Sequence, residues 1–143
     1  MPRIAIINGP SLNLLGTREV AIYGSQSFES FLEELKVRFP QVEFDYFQSN
    51  VEGELINKLH ACRENCDGII LNAAGYSHTS IALGDAIAAI STPVVEVHIS
   101  NVLAREEFRK TSFIAAKCVG SISGLGLEGY ALGLQYFLGK VKP

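Results

Sequence analysis

Tryptophan is absent from this chain, methionine occurs once and cysteine three times. The thiols of Cys62, Cys66 and Cys118 are odd in number and include no CxxC pair, so a disulfide framework is not indicated. Residues 60–66, "HACRENC", put His60 near two of them, but the spacing fits no standard zinc pattern and no second ligand pair follows. The expectation is no metal. No run approaches ~18 uninterrupted apolar residues, so no membrane-spanning helix is expected. The opening "MPRIAIING" has too short an apolar run for a secretory signal and no cleavage pattern after it, which points to the cytoplasm. Basic residues number 12 against 15 acidic, for a net charge of -3, and none cluster. A phosphate-tracking surface for nucleic acid is therefore not expected, although a small anion needs only local positive charge. There is no GxSxG nucleophile elbow, and "GPSLNLLG" lacks the lysine of a Walker A loop.

What is present suits a globular protein of 143 residues: 48% hydrophobic and 19% charged, with no linker or repeat. The expectation is one domain over residues 1–143. Continuous apolar runs at 3–7 (RIAII), 68–71 (GIIL) and 93–98 (PVVEVH) read as strands buried on both faces. Residues 42–47 (VEFDYF) alternate, as an edge strand does, and 118–122 (CVGSI) read as a last strand. Helical spacing predicts helices over 27–39, capped by Ser27, and over 54–64, 79–90, 101–110 and 126–138. Strands alternating with helices predict an α/β fold, a flavodoxin-like doubly wound five-stranded parallel sheet of order 2-1-3-4-5. Ligands of such sheets sit outside the carboxyl ends of the strands, at the switch point between the first and third.

Those ends carry polar groups. The first, third and fourth strands finish in "NGPS", "NAAGYSH" and "EVHIS", supplying Asn8, Ser11, Asn72, His78, Glu96, His98 and Ser100. Glu96 and His98 are two apart on one strand and so share a face, where a carboxylate can fix the tautomer of an imidazole acid. The glycine-bracketed loop at 8–24 adds Arg18 and Tyr23, and a cation beside a phenol makes the phenol a stronger acid, hence a usable base. Arg105 and Arg109, four apart in the predicted helix after the fourth strand, would meet whatever His98 meets. A solvated helix with Glu106 paired to Arg109 explains the same spacing. With no nucleophile evident, these residues point to acid–base chemistry. A flavin- or phosphate-binding module and a non-catalytic binding protein are the alternatives.

Taken together, "NGPSLNLLGTREVAIYG", "NAAGYSHTSIALGDAI" and "VEVHISNVLAREEFR" resemble the three signature blocks of the type II 3-dehydroquinate dehydratases. The resemblance covers essentially the whole chain, through the closing "GLGLEGYALGL". It implies dehydration of 3-dehydroquinate to 3-dehydroshikimate by anti elimination through an enolate, without metal or cofactor, in shikimate biosynthesis or quinate catabolism. By position it implies Tyr23 as base, Arg18 on a mobile lid keeping that tyrosine ionised, and His98 as acid oriented by Glu96. Asn72, His78 and Arg109 would hold ring hydroxyls, and the amides of Ile99 and Ser100 the carboxylate. Asp85 would reach a neighbour's site in trimers, four of which form a homododecamer. Three positions depart from the pattern. Ser11, at the candidate enolate-water site, stands where asparagine is usual, a side chain associated with holding the water that stabilises the enolate; Val20 replaces a proline, and Leu103 a frequent histidine.

Overall fold

β-Branched and leucine-rich runs set the sheet. The computed structural model describes residues 1–17 and 19–140. Its strands are β1 (Arg3–Asn8), β2 (Glu43–Gln48), β3 (Gly68–Asn72), β4 (Val94–His98) and β5 (Gly120–Ser123). They pair in parallel in the order β2-β1-β3-β4-β5, the expected flavodoxin-like arrangement. β3 and β4 are buried throughout, as unbroken apolar runs require. β2 is an edge strand, and its Asp45 is paired with Lys58 (2.8 Å) and Arg3 (3.3 Å).

Helices α2 (Phe28–Arg38), α3 (Glu52–Cys62), α4 (Ile81–Ala88) and α5 (Glu128–Leu138) cover the two faces; a four-residue turn of helix, α1 (Val20–Tyr23), interrupts the first loop. The Ser27 side chain caps α2, accepting from the amide of Ser30 at 3.2 Å. α2 and α5 close one core around Phe28, Leu35, Ile6 and Tyr130, while α3 and α4 close the other around Leu55, Leu59, Ile69 and Leu83.

The loop at 8–24 contributes to the core, because Leu12 and Leu15 are buried and Tyr23 packs against the same cluster. Two predicted helices differ. The helix expected over 101–110 is two 3-10 turns, Val102–Ala104 and Glu107–Lys110, with Arg105 and Glu106 extended between them. The Asn101 side chain bonds the amide of Leu103 (3.2 Å), which tightens the first turn, so Arg105 and Arg109 do not share a helical face. The helix expected over 79–90 starts at Ile81, capped by Ser80, and His78 ends the separate 3-10 turn Ala74–His78. Among the described residues no helix is long and apolar enough to cross a membrane.

Candidate active site

The carboxyl ends of β1 and β3 come together closely. The amide of Gly9 donates to the carbonyl of Asn72 at 2.7 Å, and a Cβ on Gly9 would stand 2.6 Å from the carbonyl oxygen of Ala73. Only glycine allows that approach. Asn8 and Asn72, the last residues of the two strands, are partners in register. At this switch point lies a cavity of about 200 Å³. Ser11, Leu12 and Tyr23 line it from the first loop, Asn72, Gly75 and His78 from the β3 end, and His98, Ile99, Ser100, Arg105 and Arg109 from the β4 end.

The cavity is smaller than the ~300–1,000 Å³ usual for drug-sized ligands, which suits a compact molecule and weighs against a flavin. Two guanidinium groups and two imidazoles face it, and no carboxylate lines it among the described residues. An anionic ligand suits that charge.

Each side chain is held by identifiable contacts. His98 Nε2 lies 3.0 Å from Glu96 Oε2, and both side chains are almost wholly buried. Glu96 also accepts from Ser121 Oγ (2.6 Å) and Ser112 Oγ (2.7 Å). Burial alone would raise the carboxyl pKa; the bonds from His98, Ser121 and Ser112 outweigh it and hold Glu96 below the usual carboxylate range. An ionised Glu96 accepts the Nε2 proton of His98, which fixes the orientation of the ring. His78 bonds the carbonyl of Thr111 through Nδ1 (2.7 Å) and stacks on His98 with ring centroids 6.0 Å apart.

Tyr23 and Arg105, 82 residues apart in sequence, meet: Arg105 Nη1 donates to Tyr23 Oη at 2.8 Å and to Ser100 Oγ at 3.2 Å. The same guanidinium lies 5.5 Å from the ring centroid. Arg18, expected beside Tyr23, lies outside the described residues. Arg109 donates to Glu106 at 2.6 Å and lines the cavity too. The segment after β4 is fixed by its carbonyls, which accept from Gly124 and Gly126 at His98 and Ile99. Ser11 has φ of 69°, and its amide donates to Asn50 Oδ1 at 2.9 Å.

Asp85 is exposed on α4 and does not line the cavity of its own chain. Elsewhere, Asp45, Cys62 and Cys66 bring ligand atoms within 4.8 Å of one another, while the His60 of the sequence reading is exposed and outside that group. Asp45 is already neutralised by Lys58 and Arg3; burial, then Cys66, push the Cys62 thiol up to about 12, which disfavours a thiolate ligand.

Tyr130, to which no local sequence pattern assigns a role, is completely buried and bonded to both Asn8 and Asn72 (2.8 Å each). The signal was available: two asparagines side by side at the ends of buried strands need a buried partner.

The model of the family described as Dehydroquinase class II matches residues 2–138. The chain belongs to the class II dehydroquinase family. It is 54% identical over 135 residues to a 3-dehydroquinate dehydratase of Campylobacter jejuni, an alignment covering 93% of this chain and 85% of that one. A Bacillus licheniformis 3-dehydroquinate dehydratase is 52% identical over 141 residues, covering 96% and 97%. Among solved structures, the type II dehydroquinase of Butyrivibrio crossotus superposes with a TM-score of 0.93 at 40% identity, covering 96% of this chain and 97% of that one. Glu96 and His98, in contact at 3.0 Å, both belong to the block "VEVHISNVLAREEFR".

Proposed function

We propose that this protein is a hydro-lyase, a single catalytic domain over residues 1–143, that converts 3-dehydroquinate to 3-dehydroshikimate and water. Tyr23 takes the proton alpha to the ketone, the electron pair passes into an enolate, and collapse of the enolate expels a hydroxyl that His98 protonates. The observation that carries the reading is the pairing of a phenol with a cation and an imidazole with a carboxylate around one cavity. A cation beside the Tyr23 oxygen and a carboxylate beside the His98 ring place complementary charges around one cavity, where an elimination would use a base and an acid.

The remaining roles are those that the family resemblance implies. Asn72, His78 and Arg109 hold the ring hydroxyls, and the backbone amides of Ile99 and Ser100 hold the carboxylate, with Arg105 close by. Arg18, from the same loop as Tyr23, supports that tyrosine as the base. Asp85, exposed on α4, serves the site of a neighbouring subunit in a homododecamer built as a tetramer of trimers. No step of this sequence requires a metal or cofactor, and a cytoplasmic location suits the substrate.

Adding 3-dehydroquinate and following the conjugated enone of the product by ultraviolet absorbance tests the proposal. Absorbance should rise with enzyme concentration. Binding of 3-dehydroquinate with no absorbance change would instead indicate a non-catalytic binding protein.

A further inference from the structure

Asn72 is the only amide side chain lining the cavity among the described residues, and an amide can meet a ligand in two opposite ways. Presented one way it offers an N–H donor; rotated by half a turn it offers a carbonyl acceptor. The contacts behind Asn72 decide between them. Its Oδ1 accepts from the amide of Ala74 at 3.1 Å, and its Nδ2 donates one hydrogen to Tyr130 Oη at 2.8 Å. Tyr130 in turn donates its own proton to Asn8 Oδ1 at 2.8 Å.

We infer that Tyr130, on the last helix and outside the cavity, is a positioning residue that fixes the amide of Asn72 so that it meets the substrate as a hydrogen-bond donor. The inference rests on the lyase reading for the identity of the substrate and deepens it.

The direction of the chain Asn72 → Tyr130 → Asn8 is what does this. Tyr130 has one proton, and Asn8 takes it, so the phenol oxygen can only accept from Asn72. Burial pushes the Tyr130 phenol far above its ordinary range, more than the bonds from Asn72 and Asn8 lower it, so that proton stays in place. A rotated Asn72 would set its NH2 against the Ala74 N–H, two donors facing each other, and its carbonyl against a phenol with no proton to give. With one Nδ2 hydrogen used on Tyr130, the second is left for a hydroxyl or carbonyl oxygen of the ligand. Asn8 itself is held by the register of β1 with β3, and its Nδ2 lies 3.4 Å from Tyr46 Oη. Neither Asn8 nor Tyr130 lines the cavity, so both act through Asn72.

A double-mutant cycle separates this role from a merely structural one. Four proteins are compared by steady-state kinetics on 3-dehydroquinate: wild type, Tyr130→Phe, Asn72→Ala and the double variant. The ring hydroxyl is present in substrate and transition state alike, so loss of its donor should appear mainly in KM. We expect Tyr130→Phe to raise KM by about 10-fold, the worth of one hydrogen bond, with kcat changed by less than about 3-fold. In the Asn72→Ala background the same change should move KM by less than about 2-fold. Equal effects in both backgrounds, or a wild-type KM in Tyr130→Phe, would overturn the inference. If the phenylalanine variant does not fold, Asn8→Ala is tested in the same two backgrounds. That change frees the Tyr130 proton to seek Asn72 Oδ1, and the same dependence on Asn72 is expected. Absence of turnover in the wild type would refute the lyase reading, and this role with it; turnover without coupling would refute only the role of Tyr130.

Discussion

Replacing Ser11 by asparagine should raise turnover. Ser11 lines the cavity with φ of 69°, in the left-handed region that asparagine enters more readily than serine, so the change asks nothing new of the backbone. Ser11 contributes only its main-chain N–H to the bond with Asn50 Oδ1, so that bond survives the substitution. In the proposed reaction a water held near this side chain stabilises the enolate oxygen. Asparagine offers a donor and an acceptor at fixed separation, whereas serine offers one short, rotatable hydroxyl. An oxyanion donor removed outright costs ~3 kcal/mol, and a relay that is only weakened should cost ~0.7–2 kcal/mol. That corresponds to a gain of ~3- to 30-fold in kcat for Ser11→Asn. KM should change less, because charge on the ketone oxygen develops in the transition state. Steady-state rates of the two proteins at one pH decide the matter. Equal or lower turnover in the asparagine variant would show that the cavity is already adapted to serine.

Glu96→Gln should destabilise the fold by about 1–3 kcal/mol at pH 7, since a carboxylate accepting three bonds becomes an amide facing donors. The folded carboxyl lies below its ordinary value, so its stabilising effect is full above about pH 4.5 and fades as pH falls through the lower folded value. Urea midpoints of the two proteins should therefore converge as pH falls below about 4.5; a pH-independent gap would contradict the assignment. Asp85→Asn should lower turnover without altering the cavity of its own chain, and sedimentation of the wild type should show a dodecamer. A fully active monomer would refute the shared site. Turnover should survive exhaustive chelation, and also borohydride added with substrate; loss under either treatment would require a metal or a Schiff base.

Strands were legible because burial on both faces leaves continuous apolar runs, as in Ile4–Ile7 of β1 or Val94 and Val95 of β4. Once the strand order follows, the polar residues at the ends of β1, β3 and β4 fall at one switch point without further information. The Glu96–His98 contact was legible for the same reason, since strand alternation is local. The segment at 101–110 was not. Its apolar and charged spacing suits a helix, but Asn101 caps a single turn and the chain then extends so that Arg105 meets Tyr23 and Ser100. That choice is made by partners 82 and 5 residues away, and no local pattern encodes the first of them. Tyr130 escaped for a related reason: a tyrosine on the apolar face of a helix reads as core, and its hydroxyl acquires a role only when β1 and β3 lie side by side.

Turnover of Tyr23→Phe measures the central claim most directly, because the change removes one oxygen and keeps the ring that packs against the core. With the proton acceptor gone, formation of the enone from 3-dehydroquinate should fall by ~100-fold or more while the melting temperature stays close to that of the wild type. Near-normal turnover in that variant would mean that another group removes the proton and that the pairing of Arg105 with Tyr23 serves only to hold the loop.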